Sequence, residues 1–408
     1  MKKLYCLFIV FAVIAIVFSS CAIFQKKPYS DTYYVKADGS DRNNGLSEET
    51  PFRSLFKAVV MAAGTPIKNI TVVGTLDLNS EQSTNKERVF LIQGMEKAPI
   101  LIQGKKSDSD PAVLSAAESG RRAVLIKGNV TVRFENIEIS GGISSDDGGG
   151  LYIEPGSSVI LGKDAIIRNN QADGIGGGVV IAPGASLYID GGKIFDNRSA
   201  LVGGGISIMG ANSILVITDG EISDNHSQGG GGIAVFQESR FIFSGGTIKE
   251  NTAIIAGGGV IVNQQGSFTM EGGMIRGNRS SGSGGGVALM GRSSFVLEDG
   301  EIQGNRAAEH GGGIAGDDTG SITVKGGFIS ANRAADRGGG IFTAGPFVKS
   351  AGKIYGNDMP EDAANIASSG AAIFILYDDG MYKTRETSVG DGLILDADAD
   401  DGWVIIGD

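Results

Sequence analysis

The sequence predicts an all-β fold: a parallel β-helix, a solenoid of stacked coils, with a capping helix at its N-terminal end and a separate cap at its C-terminal end. Three observations predict it. A glycine triplet recurs, with its last residue at Gly150, Gly178, Gly205, Gly232, Gly259, Gly286, Gly313 and Gly340, so the spacing is 28 and then 27 six times running. A constant period in this range marks a repeat array. Each triplet is followed by alternating apolar pairs, such as Val260/Val262 and then Phe268/Met270, the period of a strand with one buried face. Each unit then closes on Gly-x-Ile-x-x-Asn, which gives the column Asn170, Asn197, Asn225, Asn251, Asn278, Asn305, Asn332 and Asn357.

Three strand segments within 27 residues leave room only for turns, so each unit is one coil stacked on the next at about 4.8 Å. Stacking in register places like residues above one another. Glycine suits a corner that needs positive φ and close backbone approach. The Asn column suits a corner where amides hydrogen-bond along the stack and tolerate left-handed geometry. Composition agrees. The chain has 408 residues, 66 of them Gly and only nine Pro, with no Gly-X-Y period, which excludes collagen. A hydrophobic share of 41 % is enough for a core, which excludes a disordered linker. The formal charge of −11 argues against nucleic acid as a partner. Two Cys (Cys6, Cys21) and two His (His226, His310) exclude a disulfide framework and a multi-Cys zinc site.

The elements follow in order. Residues 1–20 read as an export signal: Lys2 and Lys3, the apolar run Leu4–Phe18, then Ser19 and Ser20 before Cys21. An uncleaved membrane helix and simple secretion are the alternatives. Residues 21–32 are a tether. Residues 33–66 form the N-terminal cap, with Thr50 as helix N-cap, Pro51 at the first helical position, and Phe52, Leu55, Phe56, Val59 and Ala63 on one apolar face. Such a helix plugs the open end of the coil. Residues 67–147 are irregular early rungs, 148–357 the regular repeats, and 358–408 the C-terminal cap, with Trp403 covering the last rung.

Three resemblances extend this reading. The paired motifs, as in Gly203-Gly204-Gly205-Ile206 with Ile222-x-x-Asn225, resemble the repeat of the polymorphic outer membrane protein family over about residues 148 to 357. The strand, "DGSDRNNG" loop and "PFRSLFKA" helix of residues 33–66 resemble the opening of pectin-lyase-like β-helices. The resemblance implies a right-handed coil and an adhesive surface protein. The N-terminus resembles a bacterial lipoprotein signal, with Phe18 where Leu is usual. That implies lipid attachment at Cys21, and Ala22 after it implies sorting to the outer membrane.

Candidate chemistry is sparse. Asp38, Asp41 and Asn43 alternate as Ca²⁺ ligands do, against plain turn chemistry as the other reading. "DADADDG", residues 396–402, is similar. Directly after the Asn column stand Arg198, Arg279, Arg306 and Arg333, either a solvated face or a strip for anionic glycan, with Asp196, Asp224 and Glu250 as an acidic column beside them. His226 and His310 have no evident acidic partner column. No GxSxG or P-loop occurs, the regular rungs leave almost no loop for a catalytic site, and no cofactor is implied beyond that Ca²⁺. The expectation is therefore a lipid-anchored cell-envelope β-helix, surface-exposed or periplasmic, that binds glycan or host-surface protein. The alternative is a polysaccharide-active lyase, glycosidase or epimerase with its site in the early rungs.

Overall fold

A computed structural model of the chain describes residues 32–80, 88–93, 99–105, 111–117, 120–376, 382–390, 395–396 and 404–406. Cys21, the export signal, nearly all of the tether and Trp403 lie outside the described residues, as does most of "DADADDG".

The chain coils as a parallel β-helix. The turn beginning at Gly257 shows the plan. Val260–Val262 lies in a first sheet, Ser267–Met270 and Met274–Arg276 in a second, and Arg279–Ser280 in a narrow third. Each pairs in parallel with its counterpart one repeat later: Val260 with Val287, Phe268 with Phe295, Ile275 with Ile302, Arg279 with Arg306. Among the described residues the sheets contain 13, 22 and 8 strands respectively. The second sheet holds two segments of every coil, and at Ser186–Phe195 and Ile214–Ser223 they fuse into one strand. The third sheet was not expected from the sequence, because most of its strands are two residues long and carry no readable alternation.

Alternation sends one residue of each pair inward, and parallel register stacks them into files. Phe241, Phe268 and Phe295 form such a file, with ring centroids 4.4 and 4.8 Å apart. One continuous core runs from Tyr33 to Val389.

The three glycines of each triplet serve three different needs. The first adopts positive φ, for example Gly257 at 65° and Gly284 at 68°. A Cβ on the second would meet the backbone of the next coil, 2.4 Å from the Gly285 oxygen in the case of Gly258. A Cβ on the third, Gly259, would lie 2.8 Å from the Gly286 oxygen and 3.1 Å from the Asn278 amide. Positive φ is thus confined to one member, and close packing accounts for the other two.

The Asn column is a hydrogen-bonded chain inside the corner. Asn278 Oδ1 accepts from both the backbone N–H and the side-chain amide of Asn251, each at 3.0 Å. Asn278 Nδ2 donates to Asn305 Oδ1 at 2.9 Å and to the Ile248 carbonyl at 3.0 Å. The left-handed geometry expected at these Asn belongs instead to the residue before: Asn169, Asp196, Asp224, Glu250, Gly277, Gly304 and Ala331 all have φ between 54° and 66°. The side chains of Asp196, Asp224 and Glu250 are exposed at that corner.

Both ends depart from the expected details. The helix, α1, spans Leu55–Gly64, and its N-cap is Ser54, whose Oγ accepts from Lys57 N. Thr50 and Pro51 are not its start, because Phe52 is bridged to the edge strand through Phe52 N–Tyr34 O and Lys36 N–Phe52 O. Its buried face is Leu55, Ala58, Val59 and Ala62, while Phe56 is exposed. At the other end the last link of the amide chain is Asn365, which accepts from Asn332, and Asn357 is exposed. The final coil is longer, 33 residues between ladder positions against 26 to 28 before it, because an extra turn at 356–364 intervenes. Beyond it the sheet turns antiparallel, as Ile373–Leu376 pairs with Tyr382–Arg385. The Glu386 carboxylate accepts from Gly370 N and Ala371 N, the donors that in other coils bond the next turn. Among the described residues no further parallel coil follows, and that carboxylate takes the place of its acceptors.

Candidate functional site

The third sheet positions the candidate site. Its strands, two residues long except at His226–Gly229 and Thr252–Ala256, start directly after the ladder Asn, so the first residue points outward and the second inward. The inward residues Ser280, Ala307 and Ala334 are buried, and the outward Arg279, Arg306 and Arg333 are exposed. Register is direct: Arg198 pairs with His226, His226 with Thr252, Thr252 with Arg279, Arg279 with Arg306, and Arg306 with Arg333. Three guanidinium groups therefore originate on consecutive coils, and Arg198 is set apart from them by two uncharged rungs. His226 stays neutral more readily than a free imidazole, because burial and then the Arg198 charge lower its pKa.

The surroundings of the three arginines differ from those of Arg198. Behind them the corner residues are Gly277, Gly304 and Ala331, whereas Asp196, Asp224 and Glu250 occupy the corner on the preceding coils. Two residues further along the same outward face come Ser281, Ala308 and Ala335. Among the described residues, none of the ion pairs engages Arg279, Arg306 or Arg333. Two unit charges one rung apart repel by roughly 0.9 kcal/mol at the dielectric of water. The column keeps this repulsion without an internal counter-charge, in a chain of net charge −11.

A second feature lies where the third sheet passes into the first. A cleft of about 720 Å³ is lined by Arg122, Lys127, Asp146, Asp147, Tyr152 and Glu154, among others. Arg122 lies over the Tyr152 ring at 4.5 Å and donates to the carbonyls of Asp147 and Gly148. Asp147 Oδ1 accepts from Ile175 N, and Glu154 sits 3.6 Å from Lys127 Nζ. Burial raises the Tyr152 phenol above its ordinary pKa, against the opposing pull of Arg122. No sequence pattern announced this cleft, because its residues come from three different coils and share no motif.

The remaining sequence candidates are placed as follows. Asp41 accepts from Arg53 N, Ser54 N and Ser54 Oγ, so its carboxylate holds the entry to α1. Asn43 Nδ2 donates to the Pro51 carbonyl, and Asp38 pairs with Lys36 at 3.0 Å. The loop's polar atoms are thus engaged in its own closure, and among the described residues no group of three His, Cys, Asp or Glu is placed to hold a metal. His310 does have an acidic neighbour, contrary to expectation: its Nδ1 lies 3.5 Å from Asp336, and its ring stacks on Phe342 at 4.6 Å. Among the described residues no helix is long and apolar enough to cross a membrane.

Comparison with known families adds the hand of the coil. Residues 114–273 match the family model described as a right handed beta helix region, and the fold is a right-handed parallel β-helix. No curated protein matches the sequence.

Proposed function

We propose that the chain is a lipid-anchored binding module of the bacterial cell envelope that engages an extended anionic glycan through Arg279, Arg306 and Arg333 of the third sheet. The observation that carries this reading is the in-register column Arg279, Arg306 and Arg333, which forms no ion pair among the described residues of an acidic protein. A charge column of this kind is relieved by an external anion, and rungs of nearly constant length leave the face flat enough for an extended partner. The repeat's likeness to that of the polymorphic outer membrane proteins supports a surface role, by analogy of motif.

The test is a glycan and extracellular-matrix binding screen with the purified protein. Binding to acidic glycans that weakens with added salt is the expected outcome, and no binding to any member defeats the proposal. The cleft at Tyr152 favours a second reading, a polysaccharide-active enzyme, because three carboxylates and three basic groups line one cavity where the early rungs meet the regular repeats. The same samples, analysed by mass for shortened or isomerised glycan, decide it. Product formation that Glu154→Gln abolishes would replace the binding-module reading.

The anchor is proposed from Lys2, Lys3, the run Leu4–Phe18 and Cys21, and it places the protein in the outer membrane, exposed or periplasmic. Metabolic labelling with a palmitate analogue should mark the native protein and not Cys21→Ala. Equal labelling of both would remove the anchor.

A further inference from the structure

We infer that the arginine column reads charge spacing: its ligand is a linear polyanion lying parallel to the solenoid axis, with one carboxylate or sulfate on each successive sugar. The inference rests on the binding-module reading and deepens it. Arg279, Arg306 and Arg333 arise from equivalent positions of consecutive rungs, so their Cα atoms repeat at the strand spacing of about 4.8 Å. That pitch is close to the advance of an extended glycan chain per pyranose ring. A polymer charged on every ring therefore offers one anion to each guanidinium without bending either partner. A polymer charged on every second ring meets alternate arginines only.

The footprint is bounded at both ends of the column. Towards the N-terminus the column passes to Thr252 and His226, which carry no charge to offer, and the corner beside them holds Glu250, Asp224 and Asp196. These acids repel a polyanion that extends past Arg279. Arg198, beside Asp196, therefore lies outside the site. Towards the C-terminus the column ends at Ile366, which bridges Arg333. Flanking the three arginines on the outward face are Ser281, Ala308 and Ala335, small side chains that let a sugar backbone approach the sheet, while the next residues, Glu309 and Asp336, are exposed acids that bound the footprint on that side. Arg276, exposed on the coil of Arg279, adds a fourth positive charge at the N-terminal edge.

The experiment uses two length series, oligouronates with a carboxylate on every sugar and hyaluronan fragments with one on every second sugar, titrated into the purified protein by calorimetry. Oligouronate affinity should climb through three residues and level off by four or five. At equal charge count hyaluronan should bind at least about tenfold more weakly. A sulfated oligosaccharide series run in parallel tells whether carboxylate or sulfate is preferred. Arg306→Gln, at the centre, should lower oligouronate affinity about tenfold and reduce the salt dependence of binding, while Arg198→Gln leaves both unchanged. Arg306 is exposed and in no ion pair among the described residues, so the variant should retain the parent's thermal unfolding curve. Equal affinity for the two series at equal charge, or equal effects of Arg306→Gln and Arg198→Gln, would overturn the spacing inference. If neither series binds but the broader screen yields another surface ligand, this inference fails and the binding-module reading stands. If nothing binds anywhere, both fail.

Discussion

Replacing Asn278 with Ala is expected to destabilise the array by about 4 kcal/mol, whereas Asn357→Ala should change stability by less than about 0.5 kcal/mol. The two residues close the same sequence motif, "GMIRGN" and "GKIYGN". Asn278 is fully buried, and its removal leaves Asn251 N and Asn251 Nδ2 without their shared acceptor. The Ile248 carbonyl loses its side-chain donor in the same step. Each orphaned buried group costs about 1–3 kcal/mol, and the void left by the amide adds to the loss. Asn357 is exposed, so its side chain exchanges one watery setting for another. Urea unfolding followed by far-ultraviolet circular dichroism measures both. A small, equal effect of the two substitutions would mean that the amide chain contributes little to the stack.

Gly258→Ala is expected to be at least as damaging, with a loss of about 4 kcal/mol or more and the coils on either side opened. The added methyl carbon would stand 2.4 Å from the Gly285 oxygen and 2.6 Å from backbone atoms of Arg279. These are main-chain atoms of the neighbouring coil, so nothing flexible can yield and the two coils must part. Gly304→Asn supplies the contrast. Gly304 has φ of 66° with open space around its missing Cβ, and Asn169 occupies the equivalent corner on an earlier rung. Its cost should stay below about 1 kcal/mol, since Asn tolerates left-handed backbone. Hydrogen exchange of the amides flanking each position should show fast opening for Gly258→Ala alone. Similar exchange in both variants would contradict the close-packing account.

These pairs also mark what the sequence made legible. The coil, its 27-residue period, its core files and its parallel register follow from alternation and repeat spacing, because parallel stacking is the arrangement in which equivalent residues recur above one another. Residues that look alike but act differently were not separable. All three members of a triplet are written Gly, yet one answers to φ and two to the neighbouring backbone. Asn357 fits the motif, but the turn that follows it carries Asn365 into the ladder instead. The start of α1 was misplaced because Pro51-Phe52 is a good helix opening locally, and only the pairing of Phe52 with the Tyr34 strand draws it into extended form. At the candidate site, the arginine column was visible as a spacing, while its lack of acidic partners and the acids along its N-terminal flank required coordinates. The Tyr152 cleft, assembled across coils, left no trace in linear order.

The amide chain in the Asn corner also gives the rod an electrical sense of direction. From Asn170 to Asn365 every link has the same orientation, with its oxygen turned towards the preceding coil and one N–H towards the next. The oxygen at the start accepts from Gly142 N, and the nitrogen at the finish donates to the Ile329 and Tyr355 carbonyls. Eight small dipoles thus add head to tail, much as peptide dipoles add along an α-helix, and each polarises its neighbour. Their positive pole lies towards Asn365, in the half of the molecule that carries Arg279, Arg306 and Arg333. A negatively charged chain drifting along the axis therefore meets two unequal ends, and the interior and the surface draw it the same way.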